Sequence, residues 1–456
     1  MEADDILKQV EEKEREFDAR YTRMDDDYAS WKLIPSALDA TLDYKTRKHA
    51  SDIDIISNDL RTNCDDVQAV LSSADMQILI SMAEPMGEDK RSDISKLERL
   101  FDYAFKKADE RLVNQVELPL KDSLIWHACV RGWTAGRFLV YQSNDGVIFD
   151  FKAMDPRRVT YEVGDSGLMW SGYKFFRPKA AIEATYRVSI DGHPYGKPGD
   201  GSKKKPAVID YWKREGENSY SNTVISGNTV LKPTTKHKMR SMPILIIPVA
   251  TRPPVVDSSE TDEIEQYGDS LFASIRDING MHNRFVSIVA SHANRLARQP
   301  MINYKDDQGT ELTSTTNVPD AIINLSMQHN RLEHSPMPEI SPTVISLMNW
   351  LGSRVRRGML PDVQTGDPPP SGTLYNLVQE QGNKILNPRI RNLSLFYAGA
   401  CRLIAEQLLE DKIKVKIQGV EKQKYYETQV APVDLKKPHV ITVELTARTP
   451  WAQLDV

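Results

Sequence analysis

"YGDSLFASIRDINGMHNRFVSIVASHANRLARQP", Tyr267 to Pro300, and "SPTVISLMNWLGSRVRRG", Ser341 to Gly358, decide the fold between them. In the first, Leu271, Ile275, Ile278, Phe285, Ile288, Val289 and Leu296 recur at helical spacing, which predicts one helix from about Gly268 to Gln299, stopped by Pro300. At 1.5 Å per residue such a helix reaches roughly 45 Å, well beyond the usual three to four turns. The second stretch has a helical start and stop: Ser341 at the N-cap, Pro342 at the first helical position and Gly358 at the end. Its face of Val344, Ile345, Met348, Leu351 and Val355 matches that of the first helix. Between them lie short strand candidates and a turn at Asp307-Gln308-Gly309, so the expected shape is a helical stalk with a small α/β tip.

Working outward, the stalk is followed by "MLPDVQTGDPPPSG", too rich in Gly and Pro to be helical throughout, and then by a long periodic segment from Thr373 to about Leu409, broken once at Asn387-Pro388. The tail, "KIKVKIQG" and "HVITVELTA", reads as strands. Upstream, residues 1–137 read as mostly helical, including a helix from near Ser92 and another through "LPLKDSLIWHACVRGWTAGR". The charge-dense opening, residues 2–31, is expected to be a solvated helix or an arm that orders only against a neighbour. From Arg137 to Ala250 the period becomes two, in "RFLVYQS", "GVIFDF", "RRVTYEV", "LMWSGYKFF", "RVSID", "AVIDYW", "NTVISG" and "ILIIPV", which predicts an antiparallel β-rich module. "TRPPVVDSSETDEIEQ" reads as a linker, and the fold class as α+β.

Composition narrows the function. The chain of 456 residues carries a formal charge of -5, which argues against a protein that grips phosphate backbones tightly. Cys64, Cys129 and Cys401 are far apart and form no metal-binding pair, so they are expected to be core thiols in a reducing compartment. The apolar run Met242 to Ala250 is too short to cross a bilayer, and the acidic N-terminus lacks a secretory pattern; a soluble, non-membrane protein is expected. "YGKPGDGSKKK", Tyr195 to Lys205, imitates a phosphate-binding loop, but Ser202 precedes Lys203 and a strand pattern follows where a helix is required, so it reads as a solvated hairpin tip between "TYRVSID" and "AVIDYW". His127, flanked by Trp126 and Cys129, has no acid or nucleophile at a helpful spacing and reads as a core or interface histidine.

The order of these parts resembles the portal proteins of tailed bacteriophages. Tyr267 to Pro300 resembles the first stem helix, residues 301–340 the clip, Ser341 to Asp362 the second stem helix, "VQTGDPPPSG" the tunnel-loop region, and "LYNLVQEQGNKILNPRIRNLSLFYAGACRLIAEQLL" the long wing helix. "MDPRRVTYEVGDSGLMWSGYKFF" is similar to portal wing strands. The resemblance implies a wing over 1–265 (helical 1–137, β-rich 138–250, linker 251–265), stem helices over 266–299 and 341–358, a clip over 300–340, a tunnel-loop region over 359–372, and a wing helix with terminal strands over 373–456. A helical crown, common in portals, is either absent or beyond the sequence. The implied function is a ring, usually of twelve subunits, at one capsid vertex of the virion, assembled in the host cytoplasm. It would pass double-stranded DNA loosely during packaging and ejection. It would also dock a terminase motor, the major capsid protein or scaffold, and a tail or adaptor protein.

No catalytic residue, cofactor or metal is implied. Val363, Gln364, Thr365, Gly366 and Asp367 would face the channel, while Leu271, Ile275, Ile278, Phe285, Ile288, Val344, Met348, Leu351 and Val355 would form the stripe along which stems assemble. Two alternatives stand beside this reading. One is a nucleotide-dependent DNA-processing enzyme, for which Gly196 and Gly201 with the acidic pairs in Asp25 to Asp27 and Asp306-Asp307 are the only support. The other is a monomeric adaptor or scaffolding protein, disfavoured because so long a stalk has too little partner surface within one chain.

Overall fold

Gly132 marks where helix gives way to strand, earlier than the apolar periodicity suggests. Its φ of +71° suits glycine, and a Cβ there would stand 2.7 Å from the Ser270 backbone nitrogen. The computed structural model describes residues 3–34, 53, 55–82, 88–144, 146–190, 205–250, 268–297, 301–305, 322–326, 331–334, 339–360, 372–421, 424–435 and 439–446. In chain order its elements begin with α1 (Ala3–Glu16), α2 (Asp18–Trp31), α3 (Asp59–Ser72), β1 (Asp75–Met82), α4 (Glu88–Asn114) and α5 (Leu120–Val130). There follow β2 (Trp133–Ser143), β3 (Gly146–Met154), β4 (Val159–Gly164), β5 (Gly167–Phe176), α6 (Lys179–Tyr186), β6 (Ala207–Gly216), β7 (Ser219–Ser226), β8 (Thr229–Lys238) and β9 (Ile244–Pro248). The remainder is α7 (Arg276–Ala297), β10 (Met301–Lys305), β11 (Ile322–Ser326), β12 (Arg331–His334), α8 (Pro342–Arg357), α9 (Gly372–Glu410), β13 (Val415–Glu421), β14 (Lys424–Val430), α10 (Pro432–Leu435) and β15 (His439–Thr446). The protein is α+β, as its sequence leads one to expect. It divides into two compact units, Met1–Asp25 with Val67–Leu271 and Asn383–Val456, and Asp26–Asp66 with Phe272–Gly382.

The first unit is built on two antiparallel sheets, one of order β4-β5-β6-β7-β8 and one of order β3-β2-β9. Ala135, Met154 and Ile244 from the smaller sheet pack with Val159, Trp212 and Tyr220 from the larger. The outer side of the larger sheet is covered by α1, whose Ala3, Ile6 and Val10 bury against Trp170, Ile209, Tyr211 and Ile225. The charge-dense N-terminal helix is therefore not a solvated arm. It has a narrow apolar stripe for its own sheet, and Lys174 pairs with Glu14 at its margin. α2 is fixed by Arg20, whose guanidinium stands 3.8 Å from the Phe17 ring centre and 4.8 Å from that of Trp133 while donating to the Tyr161 hydroxyl.

Beyond Arg137, strand β2 no longer pairs with β9, and a helix takes over. The Gln407 side chain of α9 accepts from the Val140 N–H at 2.9 Å and donates to the Phe138 carbonyl at 2.8 Å, as a strand would. The middle of the same helix is held by Asn392, which donates to the Ile247 and Pro248 carbonyls. Phe105, Phe138, Phe151, Phe396 and Tyr397 fill the space between with edge-on and tilted ring contacts.

Several expectations are corrected. The region 1–137 is not purely helical, because β1 lies within it and pairs in continuous register with β15, and β2 begins at Trp133. The described part of "RVSID", residues 187–190, forms no strand. Residues 179–186 are the helix α6, ended by Arg187 in the left-handed region, and the next described strand, β6, pairs with β5 and β7. β8, absent from the sequence reading because of Pro233, is an edge strand whose register shifts at the proline, where no ladder N–H is required. The first long helix begins at Arg276, not Gly268, so Leu271 and Ile275 precede it. α9 runs through Pro388 as one helix, with the Arg389 side chain donating to the Ile385 carbonyl. All three cysteines are buried thiols, as expected.

Charge ties the two sheets together. Arg137 on β2 donates to Asp150 on β3 at 2.9 Å and to Asp210 on β6, while Asp210 also accepts from Asn222 at 2.6 Å. Losing the Asp210 charge leaves Arg137, 22% exposed, with Asp150 as its remaining carboxylate, which costs about 1–3 kcal/mol. Asp210→Asn is therefore expected to lower unfolding free energy by about that much in urea titrations, whereas Glu12→Gln at an exposed position of α1 should change it by less than about 0.5 kcal/mol.

Candidate functional site

The second unit contains both stretches from which the fold was read. α7 and α8 pack with Ile275 beside Gly358 and His282 beside Gly352, so advancing along one helix means retreating along the other and the pair is antiparallel. The chain between them forms a three-stranded sheet of order β11-β10-β12, with β10 parallel to β11 and antiparallel to β12. Ser341 caps α8 by accepting from the Thr343 N–H, and Pro342 occupies the first turn, as its sequence predicts. At the base, Arg276 reaches both carboxylate oxygens of Asp27, at 2.7 and 2.9 Å, an in-plane pairing that holds the start of α7 to the end of α2.

The two sides of α7 differ. Asn283, Ser287 and Ser291 stand one turn apart on one side and hold the backbone at residues 53, 55 and 57. Ser57 N–H donates to Asn283 Oδ1 at 3.1 Å, Ile55 N–H to Ser287 Oγ at 2.9 Å and Ile53 N–H to Ser291 Oγ at 2.8 Å. The two serine hydroxyls donate back to the Ile55 and Ile53 carbonyls. At about 100° per residue, Met281 and Ile288 project from a different face of α7, roughly 110° round from the middle of the ladder, and they are 56% and 49% exposed. α8 adds exposed Leu347 and Trp350, with the Arg354 guanidinium 5.2 Å from the Trp350 ring centre. One face of α7 is thus held against the chain's own backbone at residues 53, 55 and 57, while a neighbouring face is apolar and exposed.

The predicted stripe is accordingly divided. Leu271, Ile275, Leu351 and Val355 are buried, Ile278, Phe285, Val344 and Met348 are half-buried, and Ile288 is exposed. Sequence periodicity found the apolar positions but did not separate those that face the partner helix from those that face outward. Met281, Leu347 and Trp350 were missed because they fall off the main stripe. The Asn-Ser-Ser ladder was missed although its four-residue repeat is visible in the sequence. Val363, Gln364, Thr365, Gly366 and Asp367 lie outside the described residues, as do Asp306-Asp307 and residues 195–204 of the loop resembling a phosphate site.

Groups weighed for catalysis have structural partners instead. Asp25 pairs with Arg157 at 2.8 Å and with Arg131, while Asp27 is committed to Arg276. Among the described residues no cluster of His, Cys, Asp and Glu could hold a metal, and no helix is long and apolar enough to cross a membrane. His127 is held down to about 4 by burial, against the pull of Asp155 and with the push of Arg131. No protein-family model matches the chain, and no curated protein matches it.

Two outcomes follow from this geometry. A Cβ at Gly358 would meet Ile275 Cγ2 at 2.2 Å, so Gly358→Ala should lower stability by about 1–3 kcal/mol through overpacking, read by thermal unfolding. His127 titrates near 6.5 when unfolded and near 4 when folded, so the unfolded chain binds the extra proton between those values. Its contribution is full above pH 6.5 and lost as pH falls towards 4, on the order of 3 kcal/mol. His127→Gln should flatten that part of the stability-against-pH curve measured by denaturant titration.

Proposed function

We propose that this chain is the subunit of a viral portal: a non-enzymatic ring at one capsid vertex that conducts double-stranded DNA and docks a packaging motor and tail components. The observation that carries the reading is the antiparallel pair α7–α8, joined through the small sheet of β10, β11 and β12 and left with apolar residues, Met281, Ile288, Leu347 and Trp350, exposed among the described residues. A stalk held on one face and exposed on a neighbouring one suits head-to-tail packing of identical copies, since the two sides of a repeating contact need not be alike. The order of parts, stem, clip, stem, connecting region and long helix, is that of the portal family. The overall charge of -5 suits a lumen through which DNA slides without adhering.

The enzyme alternative is weakened because its described acidic residues are paired with arginines. The adaptor alternative does not account for the exposed flank. Negative-stain images of the purified protein should contain rings with a central opening. Ile288→Asp combined with Trp350→Asp, both at exposed positions, should leave the fold intact by circular dichroism and abolish the rings. Uniform monomers at high concentration, or rings unaffected by the double change, would overturn the reading. Nucleotide hydrolysis by the pure protein would restore the enzyme.

A further inference from the structure

His282 occupies the crossing of α7 and α8. A Cβ at Gly352 would stand 3.1 Å from its Nε2 and 3.5 Å from its Cδ2, so the half-buried imidazole lies directly against the backbone of the facing helix and a side chain there would have to push it aside. Its Nδ1 is buried and finds no protein partner. The charged groups acting on the ring come from two other elements: Asp59 in the first turn of α3, and Arg356 in the last turn of α8. Asp59 is itself engaged by the Ser57 hydroxyl, and both Asp59 and Arg356 are exposed.

We propose that the α7–α8 seam is a proton-operated joint, closed when the His282 ring is neutral and opened when the ring takes up a proton in mild acid. A neutral ring packs against Gly352 without needing a charge partner. An imidazolium there would carry a second N–H donor into a seam that offers it no acceptor, and its charge would lose hydration. Burial holds the imidazole below its ordinary range, with Asp59 pulling it up and Arg356 pushing it down. The sign is fixed by this: the open seam binds the proton more tightly, so closure is complete above the ordinary histidine range and is lost as pH falls. The inference concerns the helix pair itself and does not rest on the portal reading.

Hydrogen exchange of the full chain tests it, with rates corrected for the intrinsic effect of pH. Peptides from α7 and α8 should lose protection between pH 7 and pH 5 relative to those from β6 and β7. In His282→Gln, which keeps a neutral polar side chain, the loss should disappear. Asp59→Asn should enlarge the loss and move it to higher pH, because it removes the group that eases a proton into the closed seam, and Arg356→Gln should diminish it and move it to lower pH. The opposed shifts decide the matter even if the His282 variant does not fold. An unchanged loss in His282→Gln, no loss in the unmodified protein, or shifts in the wrong direction would each overturn the proposal.

Discussion

Arg137 is the constraint on which the first unit depends. A guanidinium placed mid-strand between two packed sheets is only partly hydrated, so most of its compensation comes from protein carboxylates. They come from different sheets, Asp150 from β3 and Asp210 from β6, and Asp210 is in turn held by Asn222. This network makes the angle and spacing of the sheets a matter of hydrogen-bond geometry as well as of apolar packing, which tolerates slippage far more readily. The aromatic layer on the far side of β2 and the cover supplied by α1 both presuppose that β2 and β6 are already fixed.

A second theme is the use of helix side chains as stand-ins for a strand. Gln407 satisfies the part of β2 that has run past its neighbour β9, and Ser287 with Ser291 does the same for the backbone at residues 53 and 55. In both places an amide or hydroxyl supplies one donor and one acceptor to an exposed backbone edge, which is the pair of groups that a β partner would offer. Irregular backbone can thereby be carried against a helix without leaving its polar groups unpaired.

Much of this fold was legible in the sequence because it rests on periodicity and punctuation. The stem-like helix at Pro342–Arg357 is bounded by Ser341, Pro342 and Gly358, and the strands of the β module by turn residues, so their positions follow from local chemistry. What was not legible depends on tertiary context. β1 is specified by its pairing with β15, more than 350 residues along the chain, and by burial against α4, neither of which leaves a local mark. β8 carries a proline that counts against a strand anywhere except at an edge. In the candidate site, an apolar period reveals which residues avoid water within a helix, but Ile288 and Leu351 look alike until the neighbours are known.

The serine ladder on α7 also explains its own length. Successive rungs lie four residues apart on the helix, about 6.0 Å, but two apart on the extended segment, about 6.8 Å. Two rulers of unequal pitch drift apart like a vernier, by about 0.8 Å at each rung. Three rungs hold, at 2.8, 2.9 and 3.1 Å. The next position on the helix ruler is Asn279, whose buried amide meets no protein partner, and there the extended segment has already coiled into α3. At this end, among the described residues, the ladder stops where the two pitches part and the chain turns into α3, with neither proline nor glycine in residues 55–59 to end it.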